Sequence, residues 1–159
     1  MTDIDTFTDR LNPDMCVVTA SADGQRAGCL VGFFCQCSIQ PARFAVWISK
    51  ANHTYDIARR ADCLAVHLLT REQHAQAELF GGRTGDRTDK FTRTPWTQGY
   101  GGSAILDEVA AWFVGTVESH IDGGDHVGFV LAPVQWGGGT DGPLLRLRDA
   151  LDIDPGHPA

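Results

Sequence analysis

The chain has 159 residues, enough for one domain, with 43% hydrophobic and 21% charged residues, a composition that supports a packed core and excludes a disordered chain. Thirteen Lys and Arg stand against twenty Asp and Glu, giving a formal net charge of -7 at pH 7, which disfavours nucleic-acid backbones as partners. No apolar run approaches the ~20 residues that span a bilayer, and the polar, acidic start lacks the basic and apolar regions of a secretion signal, so a cytoplasmic location and no membrane are expected.

The first strand is predicted at Met15–Ala20, and Ala22-Asp23-Gly24-Gln25 reads as its turn, because Asp-Gly tolerates the positive φ of a hairpin. A second strand is expected from about Arg26 to Phe34, with Pro41 closing the stretch that follows, and a third over Phe44–Ile48. A helix is predicted over Thr54–Ala61, capped by Asn52 or Thr54. Cys63–Leu69 returns as a strand. A second helix should begin near Thr70, with Gln73 as its capping-box partner, and stop at Gly81-Gly82. Residues 81–103 read as an irregular, glycine-rich loop carrying Phe91, Trp96 and Tyr100. Trp112–Ile121 and Val127–Trp136 form two strands joined at Asp122-Gly123-Gly124-Asp125, and a last strand is expected at Leu144–Leu147. This strand-dominated order fits a mainly β (α+β) fold, an antiparallel barrel with two or three short peripheral helices. The core should cover about 14–148, with 1–13 and 149–159 as flexible termini of a single domain.

Five cysteines, an odd number, argue against a disulfide framework and fit reduced thiols packed as small hydrophobes. Cys35 and Cys37 would share one strand face, but no second Cys/His pair follows at zinc spacing, so no metal is expected. Lys50-Ala51-Asn52-His53-Thr54 offers a cation, an amide and a hydroxyl where helical N–H groups are free, a pattern that suits a phosphate and equally an ordinary capped helix. Gly32 interrupts a strand beside Gln36, Cys37 and Ser38, a mixture that suits a flat heterocycle or an edge strand with a bulge. Arg83, Lys90 and Phe91 place cations and an aromatic among glycines without a dinucleotide fingerprint. His126 follows Asp125 at the start of a strand.

In order along the chain, Val17–Ala20, Asp23-Gly24, Gly28, Gln36–Pro41, Asn52–Tyr55, Phe80–Arg83, Gly85-Asp86, Asp89–Phe91 and Gly124-Asp125-His126 resemble the flavin reductase-like family of FMN-binding split barrels, over Asp14 to about Trp136. The resemblance implies that Gly32, Gln36, Cys37 and Ser38 line a flavin and that Lys50, Ala51, Asn52 and Thr54 hold its phosphate. It further implies that Arg83, Lys90 and Phe91 close over the ring and that His126 is the catalytic residue beside the nicotinamide. It implies FMN or FAD with NADH or NADPH as reductant, a homodimer, and a partner such as a monooxygenase that takes the reduced flavin. A flavoenzyme with prosthetic FMN acting on an organic substrate, or a non-catalytic flavin or haem binder, are the alternative readings. The chain departs from the family at Leu30, Gly32, Gln36 and Ala51, where hydroxyl residues are common.

Overall fold

A computed structural model describes residues 4–82 and 89–155 of the chain. Its elements are α1 (Asp5–Thr8), β1 (Cys16–Ala22), β2 (Gln25–Val31), β3 (Phe34–Ile39), β4 (Ala42–Ser49), α2 (His53–Ala58), β5 (Cys63–Leu68), α3 (His74–Gly81), β6 (Trp96–Gln98), β7 (Ala104–Leu106), β8 (Ala111–Asp122) and β9 (His126–Gly138). Seven strands form one antiparallel sheet in the order β2-β1-β5-β8-β9-β4-β3, and β6 pairs with β7 in a small second sheet. No helix among the described residues is long and apolar enough to cross a membrane.

The two edges of the large sheet are β2 and β3, which follow one another in the chain with only Gly32 and Phe33 between them. The sheet therefore curls until its first and last strands stand side by side without pairing, and the barrel is split along that seam. The expected strand from Arg26 to Phe34 is in fact two. The chain leaves one edge at Val31 and joins the other at Phe34, and a side chain at Gly32 would place its Cβ 3.2 Å from Met15 Sδ.

Alternating burial fills the barrel with Cys16, Val18, Val46, Ile48, Leu64, Phe129 and Leu131, and α2 covers this core with Ile57 and Ala58. Complete burial of a side chain such as Phe129 or Leu131 stabilises the fold by about 2–3 kcal/mol. A second apolar cluster lies outside the barrel, where α3 lays Ala77 and Phe80 against Met15, Val17 and Leu145. The approach is close because residue 28 is glycine: a Cβ there would fall 2.7 Å from the Phe80 ring.

Local signals set several boundaries. Asn52 caps α2, its Oδ1 accepting from Thr54 N at 2.9 Å, so the helix starts one residue earlier than predicted and ends at Ala58. Gln73 Oε1 accepts from Thr70 N at 2.9 Å, but the first turn, Arg71–Gln73, is a 3-10 turn and α3 begins only at His74. The loop expected over 81–103 contains, in its described part, a 3-10 turn at Lys90–Thr92 and strand β6. The strand expected at Leu144–Leu147 is reduced to single bridges, Thr70 with Leu144 and Asp14 with Arg146. The short helix α1 falls in a segment where none was expected.

Candidate functional site

A cleft of about 390 Å³ opens along the seam between β2 and β3. Met15, Cys29, Leu30, Val31 and Gly32 form its floor, and Phe33, Trp47 and His126 form one wall. Ser49 and Asn52 supply a polar corner, where Ser49 Oγ accepts from Ala51 N at 3.2 Å. The opposite wall is Phe80 and Gly81 together with the C-terminal segment, through Leu147, Ala150, Leu151, Ile153 and Pro155. That segment was expected to be flexible beyond residue 148. Over 149–155 it instead packs against the end of α3: Ala150 is buried, and a Cβ on Gly81 or Gly82 would lie 3.4 Å from the Ile153 side chain.

The aromatic wall depends on glycines in the β8–β9 hairpin. Trp47 pairs with Gly128 across β4 and β9, and a Cβ on Gly128 or Gly123 would fall 2.8 or 2.7 Å from the indole. Without those side chains the indole lies flat against the hairpin. The hairpin tip turns at Gly124, whose φ of +127° favours glycine. Beyond it, His126 Nδ1 lies 2.7 Å from Asp125 Oδ1, and its ring stands 5.0 Å from that of Phe33. The hydrogen bond from His126 holds the Asp125 carboxyl below the usual carboxylate range.

The site residues read from the sequence divide. Gly32, Asn52 and His126 line the cleft, and Thr54 is buried at the start of α2 behind Asn52. Ala51 is exposed beside the polar corner. Lys50 does not line the cleft: its Nζ lies 3.0 Å from both oxygens of Asp122, and its backbone N donates to Asp125 O, so it ties β4 to the hairpin tip. Lys50, with the Gly124 N–H, holds the Asp122 carboxyl below its ordinary range.

Gln36, Cys37 and Ser38 lie farther along β3 and outside the cleft. Gln36 Nε2 donates to Ser38 O at 3.1 Å, and Cys37 is the exposed residue of a bulge. Lys90 does not close over the cleft. It is 5% exposed, and its Nζ donates to Gly28 O at 2.8 Å and Phe80 O at 3.1 Å, tying β2 to the last turn of α3. Its aliphatic stem makes that burial possible, while desolvation pulls its pKa down. Phe91 packs edge-on against Phe80 and Trp96 rather than over the cleft. Arg83 lies outside the described residues.

Sequence reasoning missed Phe33, Trp47, Ser49 and the C-terminal wall. A signal was Gly128, the third residue of β9, which marks a close neighbour without saying which.

An apolar floor, an aromatic wall and a few fixed polar groups suit a flat ring with a polar appendage. Fold and cleft together define a split-barrel protein with an open, largely apolar cleft along its seam. The chain belongs to the flavin reductase like domain family, whose model matches residues 9–151. It is similar to the reductase component of a flavin-dependent trigonelline monooxygenase from Acinetobacter baylyi (strain ATCC 33305 / BD413 / ADP1), with 30% identity over 69% of this chain and 34% of that protein. It is also similar to HsaB, a flavin-dependent monooxygenase reductase subunit from Rhodococcus jostii (strain RHA1), at 30% identity over 69% of this chain and 55% of that one. The chain thus spans between about a third and just over half of those two relatives. Among solved structures, a flavin reductase domain protein from Arthrobacter sp. FB24 superposes with a TM-score of 0.80 at 23% identity, covering 89% of this chain and 88% of that one.

Proposed function

We propose that the chain is an NAD(P)H-dependent flavin reductase that takes FMN or FAD at the seam and supplies reduced flavin to a partner monooxygenase in the cytoplasm. The observation that carries this reading is the seam cleft, where apolar floor, aromatic wall and polar corner converge within about 390 Å³. The family, and relatives that serve as reductase components of monooxygenases, support it.

A bound flavin would supply the hydride-accepting chemistry. The chain's own residues bind and orient. Leu30, Val31 and Met15 offer a flat apolar bed, and Ser49 and Asn52, backed by Thr54, would hold the phosphate end. Phe80 and the C-terminal wall exclude water from one side. His126, held by Asp125, would orient the nicotinamide at the mouth.

The chain would act as a homodimer. A second, almost wholly apolar groove of about 450 Å³ lies between Phe34, Phe44, Phe113 and Trp136, and Trp136 is 70% exposed there. A patch of this kind is characteristic of an interface.

The test is a titration of ligand-free protein with FMN and FAD, followed by quenching of flavin fluorescence, and then anaerobic addition of NADH or NADPH. Saturable quenching and catalytic bleaching of excess flavin is the expected result. Bleaching of the bound equivalent alone would replace the proposal with a prosthetic-flavin enzyme, and no quenching would remove it.

A further inference from the structure

The C-terminal wall of the cleft is a strap, residues 149–155, laid along one face of α3. His74 and Gly81 stand seven residues apart on that helix, two turns along the same face. At the Gly81 end, the Ile153 side chain and Asp154 O lie so near that a Cβ on Gly82 would meet them at 3.4 and 3.3 Å. At the His74 end, two ion pairs tie the strap down. Arg71 Nε lies 3.5 Å from Asp149 Oδ1, and His74 Nε2 lies 2.9 Å from Asp152 Oδ1. Among the described residues, the main-chain bonds that anchor this segment to the rest of the fold stop short of the strap. Leu147 N donates to Pro13 O and Arg148 N to Asn12 Oδ1, whereas Asp149, Ala150 and Ile153 donate to Arg146, Leu147 and Ala150 of the segment itself. The strap is therefore held by its apolar contacts and by these side-chain pairs.

The two pairs differ in their response to pH. The Arg71 guanidinium keeps its charge throughout, whereas an imidazole gains or loses its proton near neutrality. The Asp152 carboxylate beside His74 raises its pKa above the usual imidazole value, and Glu78 on α3 and Asp149 on the strap act in the same direction. Arg71, on the turn before α3, is drawn onto Asp149. The bond from His74 holds Asp152 below the usual carboxylate range, so that it stays ionised near neutrality. A raised imidazole pKa means that the pair adds its full hold below about pH 6.5 and loses it as pH rises through the raised value.

We infer that His74 and Asp152 form a proton-controlled latch, which holds the strap closed along the seam cleft at slightly acid pH and loosens it at alkaline pH. The latch would thereby set how fast the cleft exchanges its flavin. That flavin control rests on the proposed function, and the latch itself does not. Both partners are partly exposed, so the control is graded, a change of about two- to fivefold in the closing equilibrium.

The experiment takes two readings on the purified chain at about pH 6 and about pH 8.5, on either side of the imidazole titration. Hydrogen exchange of the strap amides in ligand-free protein, corrected for the intrinsic pH dependence of exchange, reads the latch without flavin. Recovery of FMN fluorescence on dilution of the loaded protein reads the release rate. The unmodified chain should show strap protection about two- to fivefold higher, and FMN release slower by a similar factor, at the lower pH. His74→Gln and Asp152→Asn should exchange at the faster level at both pH values, and His74→Lys, which keeps the cation, at the slower level at both. Comparison of each variant with the unmodified chain at the same pH cancels the titration of the flavin phosphate. Equal strap protection at the two pH values, or a His74→Gln protein that still switches, would overturn the latch. A strap that switches while bound FMN leaves at one rate would overturn its control of the cleft. A strap that switches in a chain that takes no FMN would remove the proposed function, and the flavin control with it, and leave the latch standing.

Discussion

The Nζ of Lys90 lies 2.8 Å from the carbonyl oxygen of Gly28 and donates to it from inside the protein, with Phe80 O as its second acceptor at 3.1 Å. These two oxygens belong to β2 and to the last turn of α3, so one ammonium joins the barrel to the helix that walls the cleft. Replacing Lys90 by Met keeps the stem and removes the donor. Two buried carbonyls then lose their partner, and a loss of about 1–3 kcal/mol is expected in urea unfolding. A fall in turnover with unchanged stability would instead make Lys90 part of the reaction.

His67 carries a prediction in pH. Its ring is fully buried: Nδ1 donates to Val17 O at 2.9 Å, and Nε2 accepts from Leu106 N at 3.1 Å. That pattern requires the neutral ring, and burial pulls the pKa down to about 4. In the unfolded chain the same group protonates near pH 6.5. Above that value both states are neutral and the group adds no pH dependence. As pH falls below it the unfolded chain gains a proton that the fold refuses, so stability drops until about pH 4 and then levels. The loss between pH 7.5 and 5 should be about 2 kcal/mol, measured by urea unfolding. His67→Gln should flatten that limb; an unchanged limb would assign it to other groups.

Gly128 tests the aromatic wall. Ala at this position brings a Cβ to within 2.8 Å of the Trp47 indole, so the ring must shift. The Gly128→Ala protein should lose about 1–3 kcal/mol of stability and show a changed tryptophan emission spectrum. An unperturbed spectrum would mean that the indole is not held as described.

The C-terminal wall is expected to serve the cleft more than the fold. Ile153→Asp places a carboxylate beside Gly81 and Gly82, and it should release the segment. Flavin affinity should fall about tenfold, or about 1.4 kcal/mol, with little change in Tm. Equal loss in both would show that the segment is part of the core.

His126→Ala should lower NAD(P)H-dependent turnover by about ten- to a hundredfold, through lost orientation of the nicotinamide, and leave flavin affinity nearly unchanged. Steady-state kinetics beside a flavin titration separates the two. Full turnover would remove the role given to His126.

Features carried by neighbours in sequence were legible beforehand: the turn at Asp122–Asp125, the Asn52 cap, the Gln73 reach to Thr70, and hence the antiparallel barrel. Features set by distant contacts were not. Lys90 reads as a loop cation until Gly28, 62 residues earlier, accepts from it. Trp47 reads only as one residue of the strand Phe44–Ile48 until Gly128 leaves it a flat bed. Gly32 reads as an interruption of one strand, but not as the crossing between two edges, because both halves are strands and only the curl of the sheet sets them apart.

That seam has a consequence for how the polypeptide is wired. The ladders of the large sheet do not run through the peptide link at Gly32-Phe33; the hydrogen bond from Trp47 N to Phe33 O extends the β3–β4 ladder by one residue and stays on one side of the seam. The hydrogen-bonded ribbon is therefore open at the seam, and there the covalent thread alone completes the circle. A nick between these two residues would sever the thread, leave the ribbon whole, and free the two lips of the cleft to part.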